Sequence, residues 1–128
     1  MLITHARLGR ELVTAAEFIL GKIEQIESVA VETNLDADFL SRQLSAAIEK
    51  VNRGEGVLIL TDMFGGTPNN IALAFLADAK IEVVSGVNLP MLIKAATSRK
   101  NKTLSELGRQ VCAAGKEAIS SAGDILAS

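Results

Sequence analysis

The sequence predicts an α/β fold: a three-layer sandwich with a doubly wound, mainly parallel sheet flanked by helices. Two observations carry this. Short β-branched runs alternate with longer segments of helical period, the order expected when each strand is followed by a crossover helix. Glycine, proline and capping residues also fall at the joints between them. The 128 residues, 48% of them hydrophobic, match one domain spanning 1–128 and leave no room for a second.

The runs that read as strands are Leu2-Ile3-Thr4, Val29-Ala30-Val31, Val57-Leu58-Ile59-Leu60-Thr61 and Ile81-Glu82-Val83-Val84. The first is short, because only Met1 to Thr4 precede His5, whereas a central strand is usually about five or six residues. Two explanations stay open: a strand held by its neighbours' hydrogen bonds, or a natural start further upstream. After it, Leu8, Leu12, Ala15, Ala16, Ile19 and Leu20 recur at helical spacing until Gly21, whose tolerance of left-handed geometry suits a helix end. Phe39, Leu40, Leu44, Ala47, Ile48 and Val51 form one face of a second helix, begun near Asp36 and left at Gly54.

A third helix starts at Thr67-Pro68, where the threonine can cap free amides and the proline's missing N–H costs nothing. A fourth begins near Leu89-Pro90. The stretch from Thr97 to Lys102 reads as a loop, and Thr103-Leu104-Ser105-Glu106 has capping-box spacing for a fifth helix running to about Ser121.

Composition excludes several functions. Thirteen basic against 15 acidic residues, a net charge of −2, offer no excess to attract a nucleic-acid backbone. All aromatic residues are phenylalanine, 3% of the chain, so platforms for stacking bases or sugars are nearly absent. One cysteine, Cys112, rules out an internal disulfide, and one histidine, His5, rules out an ordinary multi-ligand Cys/His zinc site. No metal or cofactor is expected. No apolar run approaches the roughly 20 residues that span a bilayer, and the first residues lack the order of a signal peptide. A cytoplasmic protein without membrane insertion is the expectation. A mean hydropathy of +0.31 leaves apolar surface for a partner subunit.

In an open α/β sheet the loops after the strands' carboxyl ends share one rim, where ligands bind. That rim gathers His5 and Arg7, the Asp62-Met63-Phe64-Gly65-Gly66-Thr67 loop, and Ser85-Gly86-Val87-Asn88; the turn around Thr33-Asn34 is less informative. If Asp62 accepts from His5 Nδ1–H, the tautomer is fixed and Nε2 presents a lone pair as a nucleophile, a unit suited to accepting a phosphoryl group. Gly65 and Gly66 let backbone approach an anion, and the amides around Gly66 and Thr67, those of Asn69 and Asn70, and the Thr67 hydroxyl are candidate phosphate donors. Arg7 and Asn88 are candidate contacts to a partner or phosphate. Each element also has a plain structural explanation: an incidental histidine, a turn at Asp62, a good helix start at Thr67-Pro68, and packing for Cys112. Their convergence on one edge favours the chemical one.

At these residues the sequence resembles enzyme IIA of the mannose family of the bacterial phosphoenolpyruvate-dependent sugar phosphotransferase system. The matching segments are Thr4-His5-Ala6-Arg7-Leu8, Gly54 through Asn69 with Asp62-Met63-Phe64-Gly65-Gly66-Thr67-Pro68 at its centre, and Gly86-Val87-Asn88-Leu89-Pro90-Met91-Leu92. The resemblance implies that His5 takes a phosphoryl group from the general phosphocarrier protein and gives it to a IIB protein or domain. It implies that Asp62 orients His5, that Gly65, Gly66 and Thr67 hold the phosphoryl group, and that the protein is a homodimer that binds no sugar itself. The sequence departs from the family in two ways: Ala6 stands where glycine is frequent, and fewer residues precede the histidine. The competing functions are a regulatory phosphoacceptor without its own permease, a relay to a dihydroxyacetone-kinase system, a non-catalytic binding module, and a flavodoxin-like small-ligand protein.

Overall fold

The computed structural model describes residues 1–33, 36–78 and 80–127, so Asn34 of the second-strand turn lies outside the described residues. Ten elements follow one another: β1 (Leu2–His5), α1 (Leu8–Leu20), β2 (Ser28–Val31), α2 (Ala37–Val51), β3 (Val57–Thr61), α3 (Thr67–Leu73), β4 (Ile81–Ser85), α4 (Leu89–Ser98), α5 (Leu104–Glu117) and α6 (Ala122–Ala127). The strands form one sheet in the order β2-β1-β3-β4, and every neighbouring pair is parallel. The sheet is therefore wholly parallel among the described residues.

Alternation along the strands builds two cores. Ile3, Val29, Val57 and Ile59 point to one face and pack with Leu40, Leu44 and Val51 of α2 and Ala72 of α3. Leu2, Leu58 and Leu60 point to the other, against Ala16 of α1, Met91 and Leu92 of α4, and Leu107 and Val111 of α5. These are the three layers of the sandwich. The chain winds from β1 outward to β2 and then back across to β3, so the direction of winding reverses between β1 and β3, where ligand sites of such sheets form.

Short β1 survives at the centre because β2 pairs with all four of its residues, from Leu2↔Ser28 to His5↔Val31. With β3 it pairs only at Leu2↔Leu60 and Ile3↔Thr61, whereas β3 and β4 pair over five positions. Helix α1 lies close on β1 and β2 because Gly9 has no side chain: a Cβ there would stand 2.7 Å from Ser28 Oγ and 3.0 Å from Thr4 Oγ1.

Four boundaries differ from the sequence expectation. Gly66, not Thr67, is the N-cap of α3; Thr67 is its first residue, and no side-chain cap bond forms. Helix α2 stops at Val51 because Asn52 turns the chain, its Oδ1 accepting from the amides of Gly54 (2.9 Å) and Gly56 (3.2 Å). Helix α4 absorbs Thr97 and Ser98 from the expected loop, the Thr97 hydroxyl donating back to Ile93 O at 2.8 Å. Helix α5 ends at Glu117 rather than near Ser121, and the Ser121 hydroxyl instead accepts from the Asp124 amide at 3.4 Å to start the unanticipated α6. The capping box of α5 forms as the spacing indicates, with Thr103 and Glu106 exchanging bonds. No helix among the described residues is long and apolar enough to cross a membrane.

Candidate active site

His5 is the last residue of β1, and the chain must turn sharply after it for α1 to pack back on the sheet. Ala6 makes that turn with φ at 47°, a left-handed conformation that a residue with a Cβ adopts at a cost, while its amide donates to Val31 O at 2.8 Å. This position explains why glycine suits it, and neither hydropathy nor periodicity signals it.

Asp62 follows β3, one strand over, and the parallel register brings its carboxylate to His5. A single oxygen, Oδ2, accepts both the His5 backbone amide at 2.9 Å and His5 Nδ1 at 2.8 Å. Burial pushes the Asp62 carboxyl up, but the backbone and ring N–H bonds from His5, with the charge of the imidazole when protonated, outweigh it and hold the group below its ordinary range. The carboxylate is therefore ionised near neutral pH. An ionised acceptor on Nδ1 requires the proton there, which leaves the Nε2 lone pair free in the neutral ring. The His5 side chain is half exposed, at 49%, against 11% for Asp62, so the imidazole meets solvent while its carboxylate partner is shielded.

The loop after Asp62 folds back over the ring. Gly65 has φ of +84°, and a Cβ placed on Gly66 would lie 3.0 Å from His5 Cε1 and 3.5 Å from Nε2. Gly66 itself has ordinary extended backbone, so what makes glycine fit there is the imidazole beside it. The amides of Gly65 and Thr67 have no backbone acceptor among the described residues, and Phe64 and Gly65 sit at the centre of a tight turn. Met63 and Phe64, on the same loop, are 55% and 75% exposed.

The other sequence candidates have different surroundings. Arg7 is exposed and 3.9 Å from Glu11 on the next turn of α1, and it borders an open hollow with His5, Glu32 and Thr67. Asn88 caps α4: its Oδ1 accepts from Met91 N at 3.0 Å and its Nδ2 donates to Gly115 O at 3.2 Å, tying α4 to α5. Cys112 is half-buried on α5 and free. A second hollow of about 680 Å³, bordered by Met1, Val57 and Leu107 at the opposite edge of the sheet, contains none of these groups. No cluster of three metal-ligating side chains occurs among the described residues.

Sequence reasoning missed the Asn69 side chain. It is fully buried, and its Oδ1 accepts from the hydroxyls of Thr61 at 2.9 Å and Ser85. An asparagine beside another at a helix start reads as exposed first-turn polarity, and only the sheet register shows that it faces two strand-end hydroxyls.

The family described as the PTS system fructose IIA component, EIIA-man, matches residues 1–112. The chain belongs to this mannose-type IIA family. It is 30% identical over 118 residues to the mannose-specific EIIAB component of Escherichia coli K12, covering 91% of this chain but 36% of that protein. The chain thus spans about a third of that relative's length. The sorbose-specific EIIA component of Lacticaseibacillus casei is 30% identical over 108 residues, 84% of this chain and 78% of that protein. Among solved structures, the mannose/sorbose-specific IIA subunit from Enterococcus faecalis superposes with a TM-score of 0.84 at 27% identity, covering 94% of this chain and 90% of that one.

Proposed function

We propose that this IIA domain is a phosphohistidine relay in which His5 Nε2 accepts a phosphoryl group from the phosphorylated general phosphocarrier protein and passes it to a IIB protein or domain for sugar uptake. The observation that carries the proposal is the division of the imidazole: Nδ1 is engaged by Asp62 at 2.8 Å, and Nε2 faces Gly66 and solvent. In-line attack forms the Nε2–P bond as the donor's N–P bond breaks, and the donor imidazole leaves with that electron pair. Nδ1–H remains on Asp62, whose charge stabilises the positive ring that develops. Gly65, Gly66 and Thr67 would hold the phosphoryl oxygens through their amides and the Thr67 hydroxyl. Catalysis is then positioning and fixed charge, with no cofactor or metal in any step.

Exposed Met63 and Phe64 offer an apolar contact beside the nucleophile for two partners in turn, and Arg7 offers a charge at its border. Asn88 acts at one remove, by fixing α4 to α5 behind the rim. Exposed Phe18, Ile119 and Leu126 favour a homodimer, which sedimentation velocity tests: a monomer at high concentration removes it. The relay works in the cytoplasm on this account, with sugar recognition left to other components.

The test is intact mass at neutral to alkaline pH after incubation with phosphoenolpyruvate, enzyme I and phosphocarrier protein. One phosphoryl group on the wild type and none on His5→Ala is expected. A folded wild type that gains none refutes the relay and favours a binding module.

A further inference from the structure

We propose that Asn69 is a positioning residue for phosphotransfer, a clasp that sets where the Gly65–Thr67 loop stands over His5; the role in transfer rests on the relay proposed above. The loop from Asp62 to Thr67 leaves a rigid sheet and ends in the short helix α3. Its first end is fixed, because Thr61 lies in the middle of the sheet, paired with Ile3 on one side and Ser85 on the other, and its carbonyl accepts the Val87 amide at 2.9 Å. Its far end has no such ladder. Besides the packing of buried Pro68 and Ala72, its polar tie to the strands is one oxygen: Asn69 Oδ1 takes the Thr61 hydroxyl at 2.9 Å and the Ser85 hydroxyl from β4. Asn69 lies three residues after Gly66, and the Asn70 amide closes the intervening turn on Gly66 O at 2.9 Å. The bond between Thr61 and Asn69 thus closes a ring of chain containing Asp62, Gly65, Gly66 and Thr67.

Packing alone does not account for this residue. Asn69 Nδ2 is buried without a hydrogen-bond partner among the described residues, a destabilising arrangement that an apolar side chain of similar size would avoid. Its other end joins two strands to the loop's helix, a geometric tie that an apolar side chain could not make. The consequence is at Gly66, where an added Cβ would stand 3.0 Å from His5 Cε1, so a small shift of the loop changes its contact with the ring. A loop displaced by about 1 Å would move its amides off the phosphoryl oxygens, enough to slow a transfer by as much as about 100-fold.

The test compares wild type, Asn69→Leu, and the triple variant Asn69→Leu/Thr61→Val/Ser85→Ala. The single variant strands a buried Thr61 hydroxyl and melts lower; the triple removes the polar groups together and keeps a near-native melting temperature. In the triple, the nuclear Overhauser effect between His5 Hε1 and Gly66 Hα weakens. Single-turnover phosphorylation of His5 slows by about 10- to 100-fold with the donor's KM unchanged. An unchanged Overhauser effect in the folded triple overturns the clasp, and a wild-type rate overturns its role in transfer. If wild type itself takes no phosphoryl group, the relay fails, and the Overhauser effect still decides the clasp.

Discussion

Replacing Gly66 by alanine separates the chemistry of the site from its stability. At φ −82° and ψ 168° the backbone of Gly66 suits any residue, so the substitution carries no conformational strain and removes about 0.4–1 kcal/mol of unfolded-chain entropy. Against that gain, the new methyl would stand 3.0 Å from His5 Cε1 and 3.3 Å from Met63 Cγ, a few tenths of an ångström inside ordinary contact. Met63 is exposed and can yield, but the imidazole is held at Nδ1 by the 2.8 Å bond to Asp62. Either that bond lengthens or the loop lifts, and both move Nε2 relative to the Gly65–Thr67 amides. The net change in stability is within about 1 kcal/mol, while the methyl, 3.5 Å from Nε2, obstructs the position of the incoming phosphorus. A fall of about 100-fold in single-turnover phosphorylation is expected, equivalent to about 2.7 kcal/mol of barrier. Rapid-quench intact mass gives the rate, and thermal denaturation gives the stability. Wild-type rate together with wild-type melting would refute the claim that this glycine lies against the reacting ring.

Gly65→Ala should behave in the opposite manner: nothing lies within 4 Å of its added Cβ, but φ of +84° makes the backbone strained by about 1–2 kcal/mol, which a fall in melting temperature of several degrees would report. Ala6→Gly should stabilise, since relief of about 1–2 kcal/mol of left-handed strain at φ 47° exceeds the roughly 0.4–1 kcal/mol of added unfolded-state entropy; an unchanged or lower melting temperature contradicts this. Asp62, with its folded pKa depressed, contributes stability that is complete above the ordinary carboxyl range near pH 4 and disappears as pH falls through the folded value. Chemical denaturation across that range should therefore show a steeper acid loss for wild type than for Asp62→Asn, and parallel curves would remove the His5–Asp62 bond as its source.

Much of this was legible in the sequence because the signals were periodic or fell at strand ends. Val57–Thr61 is a short apolar run bounded by Gly56 and Asp62, the pattern of a strand buried on both faces, and its side chains divide between the two cores. His5 and Asp62 are 57 positions apart, yet the rule that strand-end loops share a rim brings them together, and the side chains meet at 2.8 Å. What escaped depends on tertiary register or backbone angle. The N-cap of α3 fell on Gly66 because the loop reaches His5 before it turns helical, and no property of Thr67 announces that. The left-handed angle at Ala6 follows from the docking of α1, which Gly9 permits by letting that helix approach Thr4 and Ser28. Asn69 looks like any polar helix-start residue until β3 and β4 are aligned and place Thr61 beside Ser85. Helix α6 has too few residues for a period to show.

The central claim is that Asp62 occupies Nδ1 so that Nε2 receives the phosphoryl group. Phosphorylating ¹⁵N-histidine-labelled protein through the phosphocarrier at alkaline pH and recording ³¹P–¹⁵N correlations reads the bonded nitrogen directly. The account predicts one phosphohistidine, at His5, joined through Nε2. Attachment through Nδ1, or a phosphoryl group carried by any other residue, would contradict it.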